Sequence, residues 1–139
     1  DKEVLEIAIK NFINSSDQTN LEFYCGYWWT PLESFKGKLD LAISNPPYIP
    51  KDTYEKLPKE VKNFEPKIAL LGGEDGLKHI REIIQKAPLF LKKRGWLILE
   101  NHFDQAEEVK KILIKNKFTS VEILNDLSGI GRFTIGRYK

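Results

Sequence analysis

Apolar residues recur at helical spacing at Val4, Leu5, Ala8, Ile9 and Phe12, which predicts an opening helix with Asp1 placed to cap it. A polar loop, Asn14 to Asn20, follows. The alternation in Leu21-Glu22-Phe23-Tyr24-Cys25 predicts a strand that Gly26 stops. Leu39-Asp40-Leu41-Ala42-Ile43 reads as a buried strand. The long connection from Lys51 to Asp75 holds one short helix around Lys59 to Asn63.

From Gly76 onward, Leu77, Ile80, Ile83, Ile84 and Ala87 line one face of a helix that Pro88 should kink or end. The apolar face continues through Leu89-Phe90-Leu91 to Lys92-Lys93-Arg94-Gly95, placing the basic triplet at a helix end. Trp96 to Glu100 is a buried-strand run. Asp104 and Glu107 have the spacing of a capping box for a helix whose inward face is Val109, Ile112 and Leu113. Thr119 to Leu124 and Arg132 to Tyr138 are the last strands, joined by a turn-rich stretch short enough for an antiparallel return. The order is helix, strand, strand, helix, strand, helix, strand, strand. It predicts an α/β sheet, mostly parallel, with an antiparallel strand at or near one edge.

The chain's 139 residues, 41% of them hydrophobic, suffice for one globular domain. Its formal charge of +2 gives no global electrostatic case for nucleic-acid binding. Cys25 is the single cysteine, which excludes an internal disulfide or a multi-cysteine zinc site and reads as a buried, inert thiol. No apolar run approaches the roughly 20 residues that span a bilayer, and no secretory leader is visible, so a cytoplasmic protein is expected. No metal site is expected either.

The candidate chemistry lies directly after the strand at Leu39. In Ser44-Asn45-Pro46-Pro47-Tyr48-Ile49-Pro50, each proline holds the preceding residue extended and fixes its own φ near roughly −65°. Because proline has no N–H, the corner offers carbonyl acceptors with few competing backbone donors. It suits a ligand bearing an NH₂ group, giving one N–H to the Asn45 side-chain oxygen and the other to the Pro46 carbonyl. Tyr48 adds an aromatic face for a planar group. The bland alternative is a proline-rich turn that ends a strand. His102 is a candidate proton acceptor for which the sequence identifies no partner, and His79 reads as a surface or capping group.

Asn45-Pro46-Pro47-Tyr48 resembles the acceptor motif of S-adenosylmethionine-dependent methyltransferases that act on a planar nitrogen. The longer pattern adds Leu57-Pro58-Lys59-Glu60-Val61, Phe64-Glu65-Pro66, Ala69-Leu70 and Gly72-Gly73-Glu74-Asp75-Gly76-Leu77. It is similar to one branch, the HemK-type release-factor glutamine N5-methyltransferases.

That resemblance implies a Rossmann-like sheet and methyl transfer from S-adenosyl-L-methionine to a glutamine side-chain nitrogen in a peptide-chain release factor. It implies that Asn45 and Pro46 hold the amide, that Pro47 and Tyr48 complete the substrate slot, and that Trp28 and Asn45 touch the cofactor. Tyr27 stands where the family usually has an acid. The connection from Lys51 to Asp75 becomes a flap stiffened by Phe64-Glu65-Pro66. Its lysines, Lys51, Lys56, Lys59, Lys62 and Lys67, alternate with acids as on a solvated face, with a partner's docking surface as the alternative.

The resemblance maps residues 1–139 onto the C-terminal portion of a class I methyltransferase catalytic domain. The family's first two strands and its Gly-rich cofactor turn find no counterpart. The expectation is that this piece alone binds the cofactor poorly. Two rivals remain: N-methylation of adenine or guanine in nucleic acid, and an inactive fragment that keeps only the fold.

Overall fold

The computed structural model describes residues 2–14 and 20–139, so the expected Asp1 cap lies outside the described residues. The chain divides into two compact units, Asp1–Phe35 and Lys36–Lys139.

In the first unit, helix α1 spans Lys2–Ile13 as its periodicity predicts. Leu5, Ile9 and Phe12 are its half-buried positions, and the Phe12 ring meets Phe23 edge-on at 5.7 Å. Residues 21–25 do not form the predicted strand. They are irregular, and Cys25, expected to be buried, is exposed. Alternation is insufficient when no neighbouring strand supplies a hydrogen-bonding ladder, and among the described residues none pairs with this stretch. A 3₁₀ segment, Thr30–Phe35, closes the unit.

The second unit contains a four-stranded sheet of β1 (Leu39–Ser44), β2 (Leu91–Glu100), β3 (Phe118–Asn125) and β4 (Gly131–Tyr138), in the order β1-β2-β4-β3. β1 and β2 are parallel, while β4 runs antiparallel to both β2 and β3. Three strands therefore point one way, with the reversed strand next to the edge, in accord with the predicted α/β sheet. Helix α5 (Lys78–Phe90) packs on β2, and α6 (Ala106–Lys115) covers β3 and β4. Ile80, Ile83, Ile84, Ala87 and Phe90 of α5, Leu97 and Leu99 of β2, and Val109 and Leu113 of α6 are all buried and make up the core where these elements pack. Leu97, Leu99 and these helical residues are the period-2 and period-3.6 stripes seen in sequence.

Several boundaries differ from the sequence reading. Pro88 sits in the last turn of α5, which ends two residues later, and β2 begins at Leu91 instead of Trp96. The triplet Lys92-Lys93-Arg94 is thus an irregular part of β2 and not a helix end. The register slips between the Leu39–Leu91 and Leu41–Trp96 pairs, Arg94 adopts φ +67°, and Lys92 reaches the Asp40 carboxylate at 2.8 Å. The connection after β1 holds three short helices, α2 (Lys51–Glu55), α3 (Lys59–Phe64) and α4 (Lys67–Leu70), where one was expected. Each follows a proline: Pro50, Pro58 or Pro66. None of these helices contains a buried residue, which fits a solvated face and a docking surface equally.

Candidate active site

Ser44 ends β1 opposite Leu99, so Asn45-Pro46-Pro47-Tyr48 leaves the sheet at the carboxyl end of its parallel pair, beside Glu100. Ligand sites of open α/β sheets form at such strand ends. Pro46 is buried, which anchors the corner from below. Asn45 is exposed, and among the described residues its carboxamide makes no hydrogen bond; nor does any reach the Pro46 carbonyl.

Beyond the corner the backbone is tied down. Ile49 N–H donates to the Leu70 carbonyl at 3.0 Å, Gly72 N–H to the Ile49 carbonyl at 2.8 Å, and Lys51 N–H to the Gly73 carbonyl at 3.0 Å. The Lys51 ammonium adds a 3.1 Å contact to Glu74. The residues 51–70 are therefore an excursion whose two feet are zipped together next to the candidate site. The glycine stretch 72–76 is the second foot. Its Asp75 carboxylate takes both Arg81 nitrogens, at 3.1 and 2.5 Å, and the Leu77 N–H, joining the loop to the start of α5.

Tyr48 is held at both ends by the connection that follows β2. Gln105 Nε2 donates to the Tyr48 carbonyl at 2.9 Å, and the Tyr48 hydroxyl donates to Glu100 Oε1 at 3.2 Å. Burial first, then the charge of Glu100, raise the Tyr48 pKa above its ordinary value, with Arg132 acting in the opposite sense. Gln105 also takes the His102 N–H on its side-chain oxygen at 3.1 Å. The cap of this turn is accordingly His102 with Gln105, and the predicted Asp104–Glu107 box is not formed. Asp104 faces His102 Nδ1 at 2.6 Å, which supplies the partner that the sequence did not identify for this histidine. The His102 ring lies 6.5 Å from that of Tyr48 and 4.5 Å from that of Phe103.

Beneath the turn, Asn101 and Thr134 are fully buried; Thr134 Oγ1 donates to Asn101 Oδ1 at 2.7 Å, and Asn101 Nδ2 donates to the His102 carbonyl at 2.9 Å. Sequence reading points to Asn45 through Tyr48 as candidates but not to Glu100 and Gln105, which hold Tyr48, or to Asn101, which holds the turn between them. Trp28 lies in the first unit, half-buried, with φ +48° and its ring 5.4 Å from that of Tyr27. His79 is 3.8 Å from Glu82. Among the described residues no group of three or more His, Cys, Asp or Glu side chains is placed to hold a metal ion, and no helix is long and apolar enough to cross a membrane.

No protein-family model matches the chain. Among curated proteins it is similar to the release factor glutamine methyltransferase of Prochlorococcus marinus, 38% identical over 131 residues, which are 94% of this chain and 45% of that protein. Its counterpart from Neisseria gonorrhoeae is 40% identical over 134 residues, covering 96% of this chain and 48% of that protein. That of Fusobacterium nucleatum is 46% identical over 100 residues, covering 72% and 28%. A solved protein-(glutamine-N5) methyltransferase (release factor-specific) from Alicyclobacillus acidocaldarius superposes with a TM-score of 0.42 at 18% identity, over 76% of this chain and 86% of that one.

The curated relatives are methyltransferases. Within that class the similarity is to the release factor glutamine methyltransferases, as the motifs from Ser44 to Leu77 imply, and the chain spans about half the length of the first such relatives.

Proposed function

We propose that residues 1–139 are the C-terminal portion of a class I methyltransferase catalytic domain. The enzyme they serve moves a methyl group from S-adenosyl-L-methionine to the side-chain nitrogen of a glutamine in a peptide-chain release factor, in the cytoplasm. The observation that carries this reading is the exposed Asn45 carboxamide, with no hydrogen-bond partner among the described residues, beside a Pro46 carbonyl that likewise accepts no hydrogen bond from them. The named activity of the curated relatives supports the same substrate class.

The bound cofactor supplies an electrophilic methyl group on a sulfonium. An unpartnered carboxamide at a strand end is chemically suited to a nucleoside-bearing ligand, so Asn45 is the residue proposed to hold it, and a cofactor contact from Trp28 rests on the family resemblance alone. For the substrate, Asn45 Oδ1 and the Pro46 carbonyl accept the two N–H groups of the glutamine amide. An amide nitrogen is a poor nucleophile because its lone pair is delocalised into the carbonyl. Acceptors fixed on both N–H groups orient the nitrogen and stabilise the positive charge that grows on it during attack. Tyr48 forms one wall of the slot, and Pro47 keeps the wall and acceptors in fixed relation. The methylated amide loses its proton readily, so the chain needs no strong base.

The test is transfer of labelled methyl groups by the full-length enzyme to a release factor, with nucleic acid as the competing acceptor. Asn45→Ala is expected to lower turnover roughly 10²-fold or more, the scale of removing one preorganised polar contact. Turnover within a few-fold of wild type would remove Asn45 from the mechanism, and methylation of nucleic acid in place of the release factor would overturn the substrate assignment.

A further inference from the structure

We infer that Glu100 is a positioning residue for the acceptor corner, its carboxylate holding the Tyr48 hydroxyl so that the ring stands as a fixed wall of the amide slot. The inference rests on the methyl-transfer reading above and extends it to a residue outside the Asn-Pro-Pro-Tyr motif.

Two observations lead to it. The backbone of the corner is stiff, because Pro46 and Pro47 fix it and Gln105 clamps the Tyr48 carbonyl at 2.9 Å. The soft part is then the Tyr48 side chain; the His102 ring stands 6.5 Å from its own, and among the described residues its hydroxyl is held by the 3.2 Å hydrogen bond to Glu100.

The second observation is the state of Glu100 itself. It is half-buried at the end of β2, and among the described residues neither a cation nor a backbone N–H is bonded to its carboxylate; the Tyr48 hydroxyl is its hydrogen-bond partner. A carboxylate kept for stability alone is ordinarily paired with a cation or with several donors. The cation that acts on Tyr48, Arg132, has its Nε on Asp126 at 3.0 Å. Glu100 is therefore left to accept from the Tyr48 hydroxyl.

The experiment uses the full-length enzyme, S-adenosylmethionine and a release factor, with kcat and KM measured separately. Glu100→Ala and Tyr48→Phe are each expected to lower kcat/KM about 10-fold, the scale of one hydrogen bond to a charged group. Because the two act as one unit, the double variant should be no worse than either single one. Glu100→Gln keeps an acceptor oxygen and should recover most of the loss. The Tyr48 ring carbon bearing the hydroxyl, followed by carbon-13 NMR and assigned with Tyr48→Phe, should titrate at lower pH in Glu100→Ala than in wild type.

Additive losses in the double variant, or an unshifted Tyr48 titration, would overturn the inference. So would a fully active Glu100→Ala beside an inactive Asn45→Ala, which leaves the parent reading intact. A wild-type enzyme that transfers no methyl group to the release factor overturns both.

Discussion

Gly76 approaches Tyr48 so closely that a β-carbon on the glycine would lie 2.3 Å from the Tyr48 carbonyl oxygen and 2.4 Å from Gln105 Nε2. The acceptor corner, the glycine loop and the connection after β2 meet at that point. Gly76 also has φ +76°, in the left-handed region that a side chain disfavours. Gly76→Ala must therefore both strain its backbone and displace the Gln105–Tyr48 hydrogen bond. A loss of about 2–4 kcal/mol in urea unfolding is expected, combining left-handed strain with a broken polar contact. A change under about 0.5 kcal/mol, the scale of an ordinary surface substitution, would show that the three segments do not meet as described.

What could be read in the sequence was what is local. The corner was legible because proline acts on its own and the preceding dihedrals, and α5, β3 and β4 were legible because their apolar periods are long and regular. The supports of Tyr48 were not, since they join positions 48 to 100 and 48 to 105, and no period links such pairs. The stretch 21–25 shows the reverse failure: it alternates like a strand, but strands exist by pairing. The three short helices did leave a signal, the prolines at 50, 58 and 66 directly before them. Pro88 cannot give the Ile84 carbonyl the hydrogen bond that an ordinary residue would, and α5 ends two residues later at Phe90 instead of running on to the basic triplet.

Thr134 and Asn101 tie β4 to the turn beneath Tyr48, in a site from which water is excluded. Thr134→Val keeps the shape of the side chain but leaves Asn101 Oδ1 without its donor. The expected loss is about 1–3 kcal/mol, the cost of an unsatisfied buried polar atom, measured by urea unfolding. Asn101→Ala should cost more, because it also frees the His102 carbonyl and leaves a cavity. If Thr134→Val proved neutral, the pair would not be a closed buried contact.

The Asp75–Arg81 pair fixes the sign of a pH effect. Hydrogen bonding from Arg81, helped by the Leu77 N–H and opposed by burial, lowers the Asp75 pKa from its ordinary value near 3.8. A carboxylate with a depressed folded-state pKa contributes stability above its unfolded value, and that contribution is lost as pH falls through the folded one. Both side chains are substantially exposed, so solvent screening keeps the effect small. Wild type should be more stable than Asp75→Asn near neutrality, and the gap should close on acidification below about pH 4. A gap that stays constant from neutral to strongly acid pH would mean that the pair does not couple folding to protonation.

β1 is an edge strand, with Ile43 69% and Leu41 46% exposed, and among the described residues no strand pairs with its outer side. In a Rossmann-like sheet the cofactor lies across the carboxyl ends of adjacent strands, touching a Gly-rich turn on one and an acid on the next. Residues 21–25 add no strand, and the glycine stretch 72–76 is occupied in bracing the corner through Gly72 and Gly76. At the strand end of the second unit, Asn45 would then have to hold the cofactor without a Gly-rich turn or a ribose-binding acid. Isothermal titration of the 139-residue chain with S-adenosylmethionine is accordingly expected to give no saturable heat in the micromolar range, while the full-length enzyme binds under the same conditions. Micromolar binding at 1:1 stoichiometry by the 139-residue chain would mean that these residues contain a complete pocket, and the assignment of the chain as part of a catalytic domain would have to be withdrawn.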